Sequence, residues 1–475
     1  MTRTLTPYPA YKDTGIEWLG QIPSHWEVRR LKRVAQINPS KSEVSNPMRD
    51  GHAVFLPMER VGADGQYDIS EIRPISELWN GFTYFRRGDI IIAKITPCFE
   101  NGKGAWLENL PTEIGFGSTE FHVIRPHKEI TAPYLYRITT LSEFRRLGTD
   151  AMTGAAGQQR VPAEFVANFS IPLPPLAEQA AIVRFLDFVD GRIRRYTHAQ
   201  QRVIDRLTEY KQAVIHQAVT GKIDVRTGAP YPAYKDTGIE WLGQVPKHWE
   251  LKPLKHWVRM NARTLPETTP ADYEFRYIDI GTVGTGYLLK EPQVMRFGEA
   301  PSRARRVVQA GDTIISTVRT YLKAVYYVDG DPDALVCSTG FAVLTPRQGT
   351  HPKFVSYLVQ SDSFANCVSA ESVGTAYPAI TEGQLGRFYV AIPPLAEQAA
   401  IVQYLDEQTA RLDAAIAAVQ RRLALVGEYR ARLIADVVTG KLDVRAVAAE
   451  LPHDTDAPTD TETYGEAYHV GDAVP

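Results

Sequence analysis

Two long stretches of the chain carry the apolar spacing of a coiled-coil helix. The first runs from Glu178 to Gly221 and the second from Glu397 to Gly440. In each stretch, the first and last of these residues are 43 positions apart. Apolar-leaning positions recur at steps of three and four in the first, with one polar interruption: Leu186, Val189, Ile193, Tyr196, Gln200, Val203, Leu207, Tyr210 and Val214. In the second they recur every seven residues: Leu405, Leu412, Val419, Val426 and Leu433. These heptads predict long spacer helices within residues 173–220 and 392–445.

A helix of about 40 residues spans roughly 60 Å and cannot bury such a seam alone. The simplest partner is the other copy, packed antiparallel within the same chain, because two stretches of equal length supply both strands. A homodimeric coiled coil is the alternative. Matched lengths without insertions indicate that the distance between the flanking segments matters.

The segments between the predicted helices mix strand and helix patterns. Residues 89–95 and 312–318 follow a Gly-Asp turn and are rich in β-branched residues, and residues 121–124 and 341–344 are also typical of strands. Residues 134–147 and 354–368 have helical spacing. The sequence therefore predicts an α+β protein with two α/β domains, each with a mixed or mainly antiparallel sheet, separated by two long antiparallel coiled-coil helices.

The chain is also an internal repeat. Residues 8–28 (YPAYKDTGIEWLGQIPSHWEV) return almost unchanged at 231–251, PPLAEQAAIV occurs at 174–183 and 393–402, and VTGKIDVR at 219–226 returns as VTGKLDVR at 438–445. The intervening parts have similar lengths but share only a faint skeleton. Near-identical segments indicate that one function is performed twice, such as binding the same partner. Divergent segments with a few shared positions indicate two functions of one kind, such as reading two different ligands. The repeat predicts pseudo-two-fold symmetry suited to a symmetric pair of partners.

Charge is unevenly distributed. The net charge is −2, but residues 446–475 hold seven acidic residues and no Lys or Arg, which leaves +5 on residues 1–445. We predict an acidic disordered tail over 446–475 after a mildly basic body. Basic clusters occur at residues 29–33, 192–195 and 303–306, although each alone is also typical of a solvated face.

The remaining composition favours a soluble protein of the cytoplasm. No run of eighteen apolar residues is present and the start lacks a secretory signal pattern. The three cysteines, Cys98, Cys337 and Cys367, form no C-x-x-C pair, so reduced thiols are expected and a zinc site is not.

Loops in the two domains and the basic cluster at 303–306 hold the candidate DNA contacts. Glycine in these loops lets the backbone approach a phosphate, and Arg, Lys and Gln have the geometry to read base edges. The candidates are Lys94, Asn101, Lys103, Gln158, Gln159 and Arg160 in the first domain and Arg303, Arg305, Arg306, Arg319, Lys323 and Tyr377 in the second. For any single residue, an ordinary surface loop is the competing interpretation.

No catalytic constellation is found in the sequence. There is no phosphate-binding P-loop, no H-E-x-x-H and no G-x-S-x-G, and the glycine cluster at 281–286 opens no clear helix. Asp89 and Asp312 follow Gly and are interpreted as turn residues rather than nuclease ligands. We therefore expect no catalytic centre and no bound metal in this chain.

The repeated segments resemble the specificity subunits of type I restriction–modification enzymes. The resemblance lies in the Tyr11-to-Gly20 opening followed by His25-Trp26-Glu27, the Pro174-to-Gln179 helix start and the Thr220-to-Asp224 exit, with all three repeated. It covers roughly residues 8–445 and leaves the acidic tail without an account.

The resemblance implies a division of labour along the chain. A first target-recognition domain (8–172), a spacer helix (173–220), a second target-recognition domain (221–391) and a second spacer helix (392–445) would read a bipartite double-stranded DNA site with a fixed gap. Two methylation subunits that use S-adenosylmethionine to methylate adenine, and restriction subunits that use ATP and Mg²⁺, would supply the chemistry. Alternatives are a coiled-coil scaffold that reads no DNA and the specificity unit of a single-complex type II system.

Overall fold

The computed structural model describes residues 5–44, 50–155, 157–330, 333–374 and 377–452. The chain forms two compact units. Unit 1 contains the residues up to His198 and those from Arg422 onward, and unit 2 contains Ala199–Arg421. Each unit therefore holds one half of each long helix. Among the described residues, none of the helices combines the length and the apolar character that a membrane span needs.

The strands of the two units match one for one. In unit 1 they are β1 (Tyr11–Asp13), β2 (Gln21–Pro23), β3 (Glu27–Arg30), β4 (Ala35–Ile37), β5 (His52–Leu56), β6 (Ile72–Pro74), β7 (Thr83–Arg86), β8 (Ile90–Ala93), β9 (Gly104–Trp106), β10 (Ile114–Gly117), β11 (Phe121–Pro126) and β12 (Ser170–Leu173). In unit 2 they are β13 (Tyr234–Asp236), β14 (Gln244–Pro246), β15 (Glu250–Pro253), β16 (Val258–Met260), β17 (Glu274–Ile278), β18 (Gln293–Arg296), β19 (Ala304–Val308), β20 (Thr313–Ser316), β21 (Val325–Tyr327), β22 (Leu335–Ser338), β23 (Phe341–Pro346) and β24 (Tyr389–Ile392).

Each unit has two four-stranded sheets of the same topology. The sheet β6-β5-β10-β7 corresponds to β18-β17-β22-β19, and β4-β11-β8-β9 corresponds to β16-β23-β20-β21. The pairs β5–β10 and β17–β22 are parallel, whereas the other ladders of these sheets are antiparallel. The predicted mixed sheets and internal repeat are confirmed.

The helices are short except for the two spacers. They are α1 (Leu31–Val34), α2 (Ile75–Leu78), α3 (Ala132–Thr139), α4 (Ser142–Asp150), α5 (Ala163–Asn168), α6 (Leu176–Val219), α7 (Pro352–Gln360), α8 (Asp362–Ala370), α9 (Glu382–Leu385), α10 (Leu395–Val438) and α11 (Arg445–Glu450). The single helices predicted over 134–147 and 354–368 are each two helices, because the backbone is extended at Leu141 (ψ 141°) and Ser361 (ψ 137°). Their apolar spacing continues across the break because both helices face one core.

The long helices α6 and α10 have 44 residues each and pack antiparallel within the chain. In unit 1, Ile182 and Leu186 at the start of α6 share a core with Val437 near the end of α10. In unit 2, Val219 at the end of α6 shares a core with Ile401 near the start of α10. The prediction of intramolecular antiparallel pairing is confirmed.

The predicted seam on α6 is wrong at three positions. Tyr196, Val203 and Tyr210, one heptad apart, are 40%, 42% and 59% exposed. The contact with α10 runs along the neighbouring face, where the buried carboxylate of Asp190 meets Arg430. A heptad pattern identified the helix correctly but included a flank of the interface as well as its centre.

A buried glutamate at the start of each long helix binds side chains from the opening segment of its unit and an arginine that follows the other long helix. We call this set of contacts the glutamate closure. In unit 1, Glu178 accepts hydrogen bonds from the indole Nε1 of Trp26 (2.9 Å) and the hydroxyl of Tyr8 (3.2 Å). In unit 2, Glu397 accepts them from Trp249 (2.7 Å) and Tyr231 (2.6 Å). Equivalent contacts come from His25 (2.6 Å) and His248 (2.9 Å), and from Arg445 (3.4 Å) and Arg226 (3.8 Å). The repeated letters of the sequence thus build the same closure twice.

Burial alone would raise the pKa of Glu397, but hydrogen bonds from Tyr231, His248 and Trp249 outweigh it and lower the pKa below its ordinary value. Arg445, which also contacts Glu178 in unit 1, begins α11, so residues 446–450 at the start of the predicted disordered tail are helical. Residues 453–475 of that predicted tail lie outside the described residues.

Candidate nucleic-acid interface

In unit 1, two loops that hold predicted DNA contacts are joined by backbone bonds. Isolated β-bridges connect Arg160 to Ile95, directly after β8, and to Thr153. The amide of Thr96 donates to the carbonyl of Gln159 (3.0 Å). These bonds bring together Lys94, Gln158, Gln159 and Arg160 from loops more than fifty residues apart in sequence.

Arg160 is engaged by a carboxylate that sequence reasoning missed. Its guanidinium donates to both oxygens of Glu120 (Nε at 2.9 Å, Nη2 at 2.8 Å) and to the carbonyl of Gln158 (3.0 Å). The hydrogen bond and charge of Arg160 lower the pKa of Glu120 despite its partial burial. The pair orients the guanidinium, and 43% of the Arg160 side chain remains exposed. Contact with DNA there requires sharing or releasing Glu120.

The other two candidates of unit 1 differ in availability. The ammonium of Lys103 donates to the carbonyl of Met58 (3.1 Å), so it ties two loops together. Asn101 is exposed, and no side-chain bond is found for it within the described ranges. Asn101 is therefore the freer of the two to contact a ligand.

Unit 2 repeats the loop pairing with other side chains. Bridges connect Ala379 to Val318 and Val373, and the amide of Arg319 donates to the carbonyl of Pro378 (2.7 Å). The guanidinium of Arg319 lies 4.8 Å from the ring centre of Tyr377. The structure thus brings these two candidates together as a cation–π pair.

Arg319 and Lys323 both have left-handed backbone conformations, with φ of +51° and +48°. They flank a single turn of 3₁₀ helix, Thr320–Leu322, which presents Tyr321 outward. Non-glycine residues adopt this conformation rarely, and such residues are concentrated at functional sites. The ammonium of Lys323 pairs with Asp362 (2.6 Å) and so holds the turn rather than extending freely.

The three arginines at 303–306 form a separate group. They lie at β19, an edge strand of its sheet. Arg303 pairs with Asp279 (2.9 Å), Arg305 lies over the ring of Phe297 (4.5 Å), and Arg306 pairs with Glu382. The structure does not join them to Arg319 and Tyr377, and their assignment as DNA contacts stays a prediction, as it does for all twelve candidates.

Sequence reasoning also missed an apolar surface on the paired loops of unit 2. Tyr321, Leu322, Val373 and Tyr377 are 56%, 44%, 76% and 64% exposed. Unit 1 has Gln158 and Arg160 at the corresponding hairpin. The signal available in the sequence was the presence of large apolar residues inside glycine-containing loops. One backbone arrangement therefore presents polar groups in unit 1 and aromatic and aliphatic groups in unit 2.

Asp89 and Asp312 lie inside turns. Asp89 accepts from the amide of Arg86 (2.7 Å) and from two guanidinium nitrogens of Arg125 (2.7 Å each), and Asp312 accepts from the amide of Gln309 (2.9 Å). Within the described ranges, no group of three or more His, Cys, Asp or Glu could hold a metal ion.

Two segments of the chain, residues 23–204 and 246–421, match the family model described as type I restriction modification DNA specificity domain. The EcoAI specificity subunit of Escherichia coli is 42% identical over 164 residues, which cover 34% of this chain and 28% of that relative, so this alignment spans less than a third of the relative's length. The EcoKI specificity subunit of Escherichia coli K12 is 24% identical over 453 residues, covering 89% of this chain and 90% of that relative.

A solved chain described as "Structural basis underlying complex assembly and conformational transition of the type I R-M system" has a TM-score of 0.64 at 20% identity, and covers 89% of this chain and 99% of its own length. At that identity the likeness concerns the fold. Because the two matched segments together span more than half of its residues, the chain belongs to the family of type I restriction–modification DNA specificity domains.

Proposed function

We propose that this chain is the DNA-recognition subunit of a type I restriction–modification enzyme, in which each unit reads one half of a bipartite double-stranded DNA site. The observation that carries the proposal is the pair of joined loops, which has the same bridges in both units but different exposed side chains. A shared backbone positions a reader in the same way twice, and different side chains read different bases.

The long helices fix the gap between the two half-sites in this proposal. Their equal lengths of 44 residues, with antiparallel pairing inside one chain, support it. On DNA a change in distance is also a change in helical phase, so a reader of two half-sites needs a spacer of constant length.

Two methylation subunits dock on the repeated surfaces in this proposal. Burial accounts for identity at positions such as Trp26 and Trp249, which the fold requires. It does not account for identity at exposed positions. Leu176 and Leu395 are 49% and 52% exposed at the first residue of each long helix. Further identical exposed pairs are Asp13 and Asp236, Glu17 and Glu240, and Gln21 and Gln244. A partner that binds both repeats explains why the exposed leucines and the exposed polar residues are identical in the two copies.

The chain itself carries no chemistry in this proposal. S-adenosylmethionine belongs to the methylation subunits, and ATP and Mg²⁺ belong to the restriction subunits. This chain determines which DNA sequence the complex binds.

Single-molecule sequencing of the methylated bases in the source cell, with and without this gene, tests the proposal. We expect one bipartite adenine-methylated motif with a fixed gap to disappear with the gene. Complementation with a variant carrying Leu176→Asp and Leu395→Asp should fail to restore methylation if the exposed leucines dock the methylation subunits. An unchanged set of motifs on gene loss would refute DNA recognition, and full restoration by the leucine variant would refute only this docking surface.

A further inference from the structure

Unit 1 carries exposed arginines on α6 that the recognition loops do not use. Arg192, Arg194 and Arg195 are exposed, and none has an ion pair within the described ranges. Arg192 lies over the ring of Phe188, 5.9 Å from its centre. An exposed arginine needs no partner, but a run without any carboxylate creates a positive surface.

The pseudo-two-fold repeat provides a comparison for this surface. The positions on α10 that correspond to 192, 194 and 195 are Arg411, Asp413 and Ala414. Asp413 in turn pairs with Lys211 of α6 (2.7 Å). Unit 2 therefore lacks the concentrated positive charge, although the helix start before it is identical in sequence.

The last described residues of the chain contact an arginine earlier on the same helix. After α11, the guanidinium of Arg184 donates to the carbonyls of Leu451 (2.5 Å) and Pro452 (3.4 Å), the last described residues. Arg192 and Arg195 lie eight and eleven residues after Arg184 on the same helix. At 100° per residue they are rotated from it by about 80° and about 20°, so the three share one face. We call Arg184, Arg192 and Arg195 the arginine stripe.

The segment that follows Pro452 has the opposite charge. Residues 453–475 contain six acidic residues and no Lys or Arg. Arg192 and Arg195 are about 12 and about 16 Å along the helix from Arg184. An extended chain covers about 3.3 Å per residue, so Asp456 reaches about 13 Å from Pro452 and Asp460 about 26 Å. The first acidic residues can therefore reach the whole stripe.

We propose that the acidic segment 453–475 docks on the arginine stripe of unit 1 and shields it from nonspecific duplex DNA. Carboxylates of the segment neutralise guanidinium groups that would otherwise attract phosphates along any sequence. The shield acts on nonspecific binding because the stripe lies outside the paired recognition loops. This restricts DNA contact to the loops that read bases.

Zero-length crosslinking on the full-length chain tests the docking. The variant Arg192→Lys, Arg195→Lys keeps the charge and gives each position an amine that a carbodiimide joins to a contacting carboxylate. Mass spectrometry should find peptides that link positions 192 or 195 to residues 453–475, with a yield that falls as salt rises. The matched control is Arg411→Lys, Ala414→Lys at the corresponding positions of unit 2. Absent crosslinks, or equal yields in both variants, would overturn the docking.

Binding to a short duplex of unrelated sequence tests the shielding. In the full-length chain, the six acidic residues of the segment are changed to their amides: Asp454, Asp456, Asp460, Glu462, Glu466 and Asp472. If two arginines are released, the slope of log affinity against log salt steepens by about 1.8, which is about a twelvefold affinity difference between about 50 and about 200 mM salt. Adding Arg192→Gln and Arg195→Gln should abolish the gain. Unchanged affinity of the amide variant would overturn the shielding, whether or not crosslinks form.

Discussion

The contact between α3 and the long helices in unit 1 depends on buried charged side chains. At the corresponding positions, unit 2 has uncharged side chains in place of two of them. Arg137 donates to Asp190 (2.5 Å) and Asp187 (2.5 Å), and Asp190 also accepts from Arg430 (2.7 and 3.0 Å). The side chains of Arg137 and Asp190 are only 11% and 10% exposed.

Unit 2 solves the same contact with fewer charges. Tyr357 takes the place of Arg137, and its hydroxyl contacts Asp406 (2.6 Å) and Thr409 (3.3 Å), where Thr409 corresponds to Asp190. We therefore predict that Arg137→Tyr and Asp190→Thr destabilise unit 1 singly but rescue one another when combined.

The expected size follows from the burial of the two groups. Breaking a buried pair by removing one partner costs about 3–5 kcal/mol. Each group here retains one other partner, Arg430 or Asp187, so we expect about 2–3 kcal/mol for each single variant. The double variant recreates the tyrosine–threonine contact and leaves Arg430, 40% exposed, accessible to water. The coupling energy should be about 2 kcal/mol in favour of the double variant.

Hydrogen exchange of the full-length chain, followed by mass spectrometry, measures the loss of stability separately for each segment of unit 1. A global unfolding curve of a two-unit protein does not separate the two units. Peptides from the first half of α6 should exchange about 30-fold faster or more in each single variant and markedly more slowly in the double variant than additivity requires. Tyr357→Phe is the matched control and should affect peptides of unit 2 only. Additive effects of Arg137→Tyr and Asp190→Thr would refute the argument that these charges support one another.

Three further predictions follow from other features. Burial would raise the pKa of Asp190, but hydrogen bonds and charge from Arg430 and Arg137 lower it. The stabilisation is present above the unfolded value of about 3.9 and lost as pH falls below it. The protection factors of α6 amides in unit 1, which correct exchange for its intrinsic pH dependence, should therefore fall below about pH 4 and hardly change between about pH 5 and 7, and a constant protection factor below about pH 4 would contradict this. Arg160→Ala should alter the methylated bases of one half-site and leave the other unchanged, and a change in both would contradict independent readers. Four residues inserted at corresponding points of α6 and α10 lengthen each helix by about 6 Å, so sequencing of methylated bases should find the gap longer by at most about two base pairs, and an unchanged gap would contradict the spacer role.

Features with local causes could be read from the sequence. The long helices were predicted because a heptad pattern depends only on residues a few positions apart, and the structure gives Leu176–Val219 and Leu395–Val438. The strands after the Gly-Asp turns were predicted for the same reason, with β8 and β20 inside the predicted ranges. The shared skeleton of the divergent domains indicated one topology twice, which the matching sheet orders confirm.

Features set by distant partners could not be read in this way. In the sequence, Arg160 is a candidate DNA contact with no acidic residue beside it in its loop. Its carboxylate partner, Glu120, is forty residues away in the chain. Arg306 pairs with Glu382 across an even longer separation, so charge clusters in sequence do not report which guanidinium groups are available. The exposure of Tyr196 was also beyond the pattern, because a heptad identifies a helical face only to within the width of its interface.

The sequence repeat and the structural unit are different divisions of the chain. Each sequence repeat runs from an opening segment through a domain to a helix end, yet the glutamate closure of each unit takes its arginine from beyond the end of the other repeat's helix. Arg445, after α10, reaches Glu178 of the first repeat, and Arg226, after α6, reaches Glu397 of the second. The β-bridge between Thr6 and Asp443 in unit 1 has its counterpart between Asp224 and Ala229 in unit 2. A single repeat therefore lacks part of its own closure and half of its helix pair, and segments of the other repeat complete each unit.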